Sequence, residues 1–188
     1  YEFNDAAKDA TFDDLRAFFI TQRKPLRVWM DDVTAEGFMP RFGYAFQTQS
    51  GYPAIAVHVG QVAPLVPLEI AGPGGVMEIL PLAQDHGFSD SLGFRVGTAA
   101  YSNHLVAMPE QTFAALGGLE LWIVDALREK PHPTHAHLER SLEWIARLKP
   151  AHAVLTNMHI DLDYRALQAR LPAGVEPAYD GWSADLTI

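Results

Sequence analysis

The stretch that decides the fold class is "LELWIVDALREKPHPTHAHLERSLEWIARLKPAHAVLT", residues 119–156. It begins with the apolar run of a buried strand, which ends at Asp125. A helix follows, because apolar residues recur at helical spacing before Pro150 at Leu138, Leu142, Ile145 and Leu148. Another apolar strand comes next, over residues 151–157. This alternation predicts an α/β domain in which helices lie against a sheet.

The rest of the chain continues the alternation in both directions. Thr11 is a candidate N-cap for a first helix. Gly37 and Pro40 are expected to interrupt a weak helix over residues 33–46. Apolar runs on both sides of Gly97 predict a hairpin with a tight turn. The other predicted elements are strands at 25–30, 54–60 and 75–83, helices at 108–118 and 163–171, and a terminal pair of strands over 175–188.

Composition excludes several classes of function. The formal net charge of −9 makes nucleic acid and anionic membranes poor partners. The chain has no cysteine, which excludes disulfides, thiolate metal sites and a cysteine nucleophile and fits a cytoplasmic location. No apolar run reaches the roughly 20 residues that a membrane helix needs.

Polar side chains stand at four predicted strand ends, where α/β domains carry their chemistry. These ends are Asp85-His86, Asn103-His104, Asp125 and residues 157–159. His86 and His104 each follow a strand, so we expect the fold to bring them to one edge. Structural histidines bonded to backbone are the alternative interpretation. Asp125 at the end of a buried strand is typical of a structural carboxylate that accepts loop amides.

A proline-flanked loop and the first turn of the helix predicted within residues 134–150 hold His132, His135 and His137. Thr134 is a candidate N-cap for that helix. The three imidazoles could form a metal site, include one catalytic histidine, or be exposed residues of a loop and helix start. From the residues alone, these alternatives stay open.

Several blocks resemble, in order and rough spacing, the metallo-β-lactamase-fold hydrolases, in the branch of the phosphoribosyl cyclic phosphate phosphodiesterases. The blocks are "FGYAF", "QDHG", "SLGFRVG", "MPEQTF", "PHPTHAHLERSLEWIARLKP", "LTNMHIDLDY" and "PAYDGW". The resemblance implies an αββα sandwich with two divalent metals at one edge. Family members have further strands before the point where this chain starts. We therefore expect one metallo-β-lactamase-like domain over residues 1–188, complete or partial, that lacks some N-terminal strands.

The metal ligands of the family are mostly replaced in this alignment. The four positions of the family's first ligand motif hold Phe3, Asp5, Ala7 and Lys8. His86 is retained, His104 stands in place of a bridging aspartate, and Asn157 in place of the last histidine. A phenyl ring and a methyl group have no lone pair to donate, and an ammonium repels a cation.

The resemblance also assigns roles to individual residues. His135 lies where the family has a histidine facing the substrate, outside the metal shell, as proton donor or phosphate contact. A residual single-metal site would use His86 and His104 with Asp5, or else with His159 and Asp161. The last two would diverge in an extended loop, which makes a shared ion there less favourable. The candidate substrate-binding residues are His132, Asn157 and His159.

Two functional hypotheses follow. In the first, the dinuclear site is dismantled and the protein is catalytically impaired or inactive, serving as a scaffold or binding protein or as an engineered metal-free variant. In the second, it is an active phosphodiester hydrolase with a mononuclear site on His86 and His104. The cofactor is accordingly none or a single zinc or manganese ion. The expected partners are a small phosphodiester-type molecule and, in a homodimer, a second copy of the chain. In a third possibility, residues 1–10 are not the ligand motif, and a missing N-terminal segment or a different register there would supply the metal donors in a longer parent chain.

Overall fold

The computed structural model describes the backbone of residues 9–186 and the side chains of residues 15–186. The chain divides into two compact units, Tyr1–Ala63 and Pro64–Ile188, which are described separately. The expectation of one domain over the whole chain stays a prediction. No helix within the described range is long and apolar enough to cross a bilayer.

The first unit contains two helices and a parallel pair of strands. Its elements are α1 (Asp9–Gln22), β1 (Leu26–Trp29), α2 (Asp32–Phe42), a 3-10 turn (Gly43–Phe46) and β2 (Ala56–Gly60), with β1 paired to β2. Its core comprises Leu15, Met30, Phe38, Phe42, Ala45, Ile55 and Ala56.

Two details of this unit correct the sequence predictions. Helix α1 begins at Asp9, so Thr11 lies inside it and is not its N-cap. Helix α2 runs through Gly37 and Pro40 without interruption. Its start is capped, because Asp31 Oδ1 accepts the N–H of Thr34 at 2.7 Å. Burial of aromatic rings on one face of α2 offsets the low helix propensity of glycine and proline.

The second unit is built on a seven-stranded mixed sheet in the order β3-β4-β5-β6-β7-β8-β9. Strands β3 to β6 pair antiparallel, and β6 to β9 pair parallel. The strands are β3 (Leu68–Gly72), β4 (Gly75–Asp85), β5 (Asp90–Val96), β6 (Ala99–Ser102), β7 (Leu121–Asp125), β8 (His152–Thr156) and β9 (Val175–Pro177). The helices are α3 (Glu110–Ala115), α4 (Leu138–Leu148) and α5 (Tyr164–Gln168). The predicted α/β class is confirmed.

The core of this unit lies between the sheet and its helices. Leu82, Trp122 and Leu155 are fully buried, and α4 contributes Trp144 and Ile145 to the same cluster. Burying each such side chain stabilises the fold by about 1.5–3 kcal/mol relative to exposure. The terminal pair of strands is only half correct, because β9 is the single strand between residues 175 and 186. Strand β3 was not among the predicted elements.

The topology brings four strand ends together. Strands β6, β7 and β8 are parallel, so their carboxyl ends lie at one edge of the sheet. Strand β4 is antiparallel to β5, which is antiparallel to β6, and therefore β4 ends at this edge as well. The residues after these ends are the polar ones that the sequence singled out.

Candidate metal centre

His86 lies in the tight turn between β4 and β5. Its backbone N–H donates to the carbonyl of Ser89 at 2.9 Å. The N–H of Gly87 donates to Asp85 Oδ1 at 2.7 Å, and Gly87 has a φ of 83°. A Cβ at Gly87 would lie 2.5 Å from the carbonyl oxygen of Pro133. Glycine is therefore required at this position, because only it permits the close approach of the turn to the loop that carries His132 and His135.

His104 follows β6 in a left-handed conformation, with a φ of 56°. Its N–H donates to Asn103 Oδ1 at 2.9 Å, and its carbonyl accepts the hydroxyl of Ser91 at 2.6 Å. Both backbone polar groups of His104 are therefore bonded, which fixes a conformation that a residue with a Cβ rarely adopts.

His135 is oriented by a buried carboxylate at the end of β7. Its Nδ1 lies 2.7 Å from Oδ2 of Asp125, whose side chain has 0% exposure against 13% for His135. The amide of Asn157 donates to the other oxygen of Asp125 at 3.2 Å. Because Nδ1 faces the carboxylate, we assign the ring proton to Nδ1, which leaves the Nε2 lone pair available. Asp125 thus accepts from side chains rather than from loop amides.

The three rings converge. A ligand atom from each of His86, His104 and His135 lies within 4.8 Å of the others. Nε2 of His86 is 3.4 Å from Nε2 of His135, and the ring centroid of His104 is 5.3 Å and 5.1 Å from those of His86 and His135. Between residues 15 and 186, no other group of three histidine or acidic side chains comes this close.

The donor set fits a divalent ion. Two nitrogen ligands on a tetrahedral zinc ion, with bonds of about 2.0–2.1 Å, lie about 3.3–3.4 Å apart. The separation of 3.4 Å between His86 and His135 matches that spacing. The carboxylate behind His135 is the partner that metal-bound histidines usually have, since it fixes both the tautomer and the ring orientation.

His132 borders the cluster. Its ring centroid lies 5.4 Å from that of His135. Its Nδ1 accepts the N–H of Thr134 at 3.3 Å, so the proton of the neutral ring is on Nε2. Burial, followed by the charges of Arg128 and His135, lowers the pKa of His132, and Asp125 opposes this shift.

Thr134 does not cap helix α4. The N-cap is His137, which makes no side-chain capping bond, and the hydroxyl of Thr134 lies 3.2 Å from Nδ1 of His132 instead. The helix begins at Leu138, so its N-terminus lies after the predicted cap position. Of the three histidines in this loop, the structure brings His135 into the cluster and His132 to its border.

The remaining predicted site residues are not members of the three-ring cluster. His159 is exposed, and its Nδ1 lies 3.2 Å from Oδ2 of Asp161, so the two side chains meet and do not diverge as expected. Asn157 reaches the site only through Asp125 and His135, with a distance of 3.2 Å from its Nδ2 to Nδ1 of His135. Asp5, the third predicted ligand, falls outside the described residues.

Sequence reasoning missed two features of the site. One is the pairing of His135 with Asp125, for which the strand-end aspartate before a histidine-rich loop was the available signal. The other is the buried polar group beneath His104, formed by Gln84, Ser91 and Asn103. Alternation of polar and apolar residues in β4 and β5 gives no hint that these side chains bond to one another.

The chain belongs to the beta-lactamase superfamily, because the model of the beta-lactamase superfamily domain matches residues 5–160. Together with the mixed sheet and its helices, this match confirms the metallo-β-lactamase type of fold that the resemblance implied.

Several individual proteins are similar to most of this chain. A diphosphatase of the PhnP family is similar with a TM-score of 0.72 and 28% identity, over 85% of this chain and 57% of that one. The metallo-beta-lactamase fold protein YhfI from Bacillus subtilis has a TM-score of 0.63 and 16% identity, over 90% and 71% of the two chains. An octanoyltransferase from Porphyromonas gingivalis is 26% identical over 176 residues, which are 92% of this chain. The chain spans about a third of the length of that curated relative, 34%.

Proposed function

We propose that the protein is a metal-dependent hydrolase of phosphodiester or diphosphate linkages with a mononuclear centre on His86, His104 and His135. The convergence of three imidazoles, with ligand atoms within 4.8 Å, carries this proposal. The similarity to a diphosphatase at 28% identity supports the substrate class. In this proposal His135 is a third ligand, in place of the proton-donor role expected from the resemblance.

A bound divalent ion would supply Lewis-acid activation of water and of a phosphoryl oxygen. The overall reaction adds a water oxygen to phosphorus, breaks one P–O ester or anhydride bond, and transfers a proton to the leaving oxygen. Asp125 holds His135 in the tautomer whose Nε2 can coordinate. The hydrogen-bonded backbone at His104 and the close approach of Gly87 to the His132 loop position the backbone segments that carry the other two rings.

His132 is suited to contact the substrate. With Nδ1 accepting from Thr134, the Nε2–H of its neutral ring can donate to a phosphoryl oxygen. The lowered pKa keeps the ring uncharged near neutral pH, because burial disfavours the imidazolium. His132 would therefore recognise phosphate as a hydrogen-bond donor rather than as a cation.

A second candidate is a protein that binds the ion but does not turn over substrate. It is favoured by the hydrogen bonds from His135 and Asn157 to the two oxygens of Asp125, because a bridge between two ions would compete with them. A catalytically impaired binding protein would retain the metal and a phosphate ligand. Turnover of a diester at saturating metal separates the two candidates.

The experiment is a titration of the metal-stripped protein with Zn²⁺ and Mn²⁺, followed by calorimetry. We expect one ion per chain, and binding at least about tenfold weaker in His86→Ala, His104→Ala and His135→Ala. His152→Ala is the matched control, since His152 begins β8, lies at the opposite end of the strand from Asn157, and bonds Glu176 at 3.0 Å. Metal-loaded protein is then assayed with an activated diester and an activated diphosphate.

The outcomes are separable. If the parent protein binds neither metal, or if His152→Ala weakens binding as much as the cluster variants do, the metal centre is wrong. If one ion binds but neither substrate is cleaved above the rate of His86→Ala, the impaired binding protein is the better description.

A further inference from the structure

We propose that Gln84 is a positioning residue for His104, acting through Ser91 and Asn103, and that this buried amide sets the metal affinity of the centre. The inference rests on the proposed metal-binding function. It assigns a role to three residues that do not themselves reach the cluster of rings.

The contacts form a continuous network under His104. Nε2 of Gln84 donates to Ser91 Oγ at 3.1 Å and to the carbonyl of Asn103 at 2.8 Å. Ser91 Oγ in turn donates to the carbonyl of His104 at 2.6 Å, and Asn103 Oδ1 accepts the His104 N–H at 2.9 Å. A single amide therefore holds both residues that bond the backbone of His104.

Burial makes this network rigid. Gln84, Ser91 and Asn103 are 2%, 6% and 9% exposed, so water does not compete for their hydrogen bonds. Asn103 is held from its other end, because its Nδ2 donates to the hydroxyl of Tyr101 at 3.0 Å. Rigid support is needed, since His104 keeps a φ of 56° that its own Cβ disfavours.

The absence of a side chain at Gly93 leaves the space that the Gln84 amide occupies. A Cβ at Gly93 would lie 2.4 Å from Oε1 of Gln84 and 3.0 Å from the carbonyl oxygen of Tyr101. Oε1 of Gln84 is buried and has no hydrogen-bond partner among the described residues. An unsatisfied buried oxygen destabilises the fold, so an apolar side chain would serve packing better than Gln84 does. The useful part of this side chain is its donor, which points toward the backbone of His104.

The consequence for the centre is geometric. A metal ligand binds well only if its ring is already aimed, and loss of an outer partner typically lowers metal affinity 10- to 100-fold. His86 and His135 have their own supports in the Gly87 turn and in Asp125. The network beneath His104 is the corresponding support for the third ring.

The test compares Gln84→Met and Ser91→Ala with a control, Ser102→Ala. Ser102 is fully buried in the neighbouring strand and accepts the indole N–H of Trp122 at 3.0 Å. Its loss removes a buried hydrogen bond of the same sheet without touching His104. Gly93→Ala is a second route to the same defect, since the added methyl group displaces the amide of Gln84.

Two measurements are made on the full-length protein. The first is Co²⁺ affinity together with the visible spectrum of the Co²⁺ form, which reports the number and geometry of nitrogen ligands. We expect Gln84→Met, Ser91→Ala and Gly93→Ala to bind Co²⁺ about 10- to 100-fold more weakly with an altered spectrum. Ser102→Ala should keep both parental values even though it lowers the melting temperature.

The second measurement is made without metal. In the NMR spectrum of histidine-labelled protein, the ring signals of His104 should shift or broaden in Ser91→Ala while those of His152 stay in place. Parental Co²⁺ affinity in folded Ser91→Ala and Gln84→Met would overturn the inference and leave the metal centre intact. If the parent binds no metal, the proposed function fails, and the His104 signals alone then decide whether the network positions this ring.

Discussion

Nδ1 of His135 lies 2.7 Å from Oδ2 of Asp125, at the end of a buried strand and with no solvent access to the carboxylate. Asp125 ends strand β7, and His135 lies in the loop that follows. The hydrogen bond between them therefore links the sheet to this loop, whose His135 ring faces His86. The relationship is the one found behind metal-bound histidines, in which a carboxylate fixes the tautomer of the ligand.

Asp125→Asn tests this pair. The amide keeps the shape but loses the charge, so zinc affinity should fall about 10- to 100-fold. The free energy of unfolding should fall by about 1.5–3 kcal/mol, as for loss of a charged hydrogen bond. Calorimetry and urea unfolding measure the two effects. The control is Asp163→Asn, which alters the cap of α5, where Asp163 Oδ1 accepts the N–H of Ala166 at 2.8 Å. Equal zinc affinity in the parent and Asp125→Asn would contradict the assigned role.

Gly87→Ala tests the contact between the β4–β5 turn and the histidine loop. Its added methyl group meets the carbonyl oxygen of Pro133 at 2.5 Å in addition to the strain of a positive φ. Gly118→Ala is the matched control, because Gly118 has a φ of 72° and open space around it. We expect backbone strain to lower the free energy of unfolding of Gly118→Ala by about 1–2 kcal/mol. Gly87→Ala should lose the same amount plus the cost of the clash, and it should also bind zinc more weakly than the parent. Thermal unfolding that is identical in the two variants would show that the contact is unimportant.

Asn157→Asp tests the environment of Asp125 with almost no change of shape. The substitution puts a carboxylate 3.2 Å from Asp125 Oδ1, where an amide now donates. One of the two carboxyls then has a raised pKa in the folded state, so the folded protein binds more protons than the unfolded one. The loss of stability, about 1–3 kcal/mol, should be largest at pH 7–8 and decrease as the pH falls toward 4. A loss that is independent of pH would argue against close carboxylates.

Glu110→Gln probes an exposed ion pair that joins α3 to α4. Arg147 donates to Glu110 at 3.1 Å, and this hydrogen bond lowers the pKa of Glu110 below its ordinary value of 4.5. A lowered folded pKa gives stability that is present above pH 4.5 and is lost as the pH falls through the folded value. The melting temperatures of the parent and Glu110→Gln should therefore differ slightly at pH 7 and converge at low pH. High salt should also reduce the difference, and insensitivity to both would contradict the ion pair.

The sequence predicted those elements whose signals are local. The hairpin about Gly97 and helix α4 were predicted because a turn glycine and apolar spacing act within a few residues. Helix α2 was mispredicted at Pro40, since burial of Phe38 and Phe42 depends on partners elsewhere in the chain. Tertiary contacts of this kind outweigh propensity and cannot be read from the segment alone.

The candidate site was predictable only where it depends on local signals. Strand ends placed His86 and His104 near one edge, and the structure brings their rings to 5.3 Å. The entry of His135 into the cluster depends on the path of a proline-flanked loop and on Asp125, and the sequence left three alternatives for that loop. The role of the Gln84 amide could not be predicted from the sequence, because the space it occupies depends on a glycine in the neighbouring strand.

The three rings of the cluster come from separate chain segments, namely the β4–β5 turn, the end of β6 and the loop before α4. Any ion held by all three would act as a reversible cross-link between them. Local opening of the loop would then require release of the ion, so metal should slow proteolytic nicking between residues 128 and 137 more than it slows cleavage elsewhere. The metal–histidine bonds of the proposed centre would in this way also stabilise the irregular loop before α4.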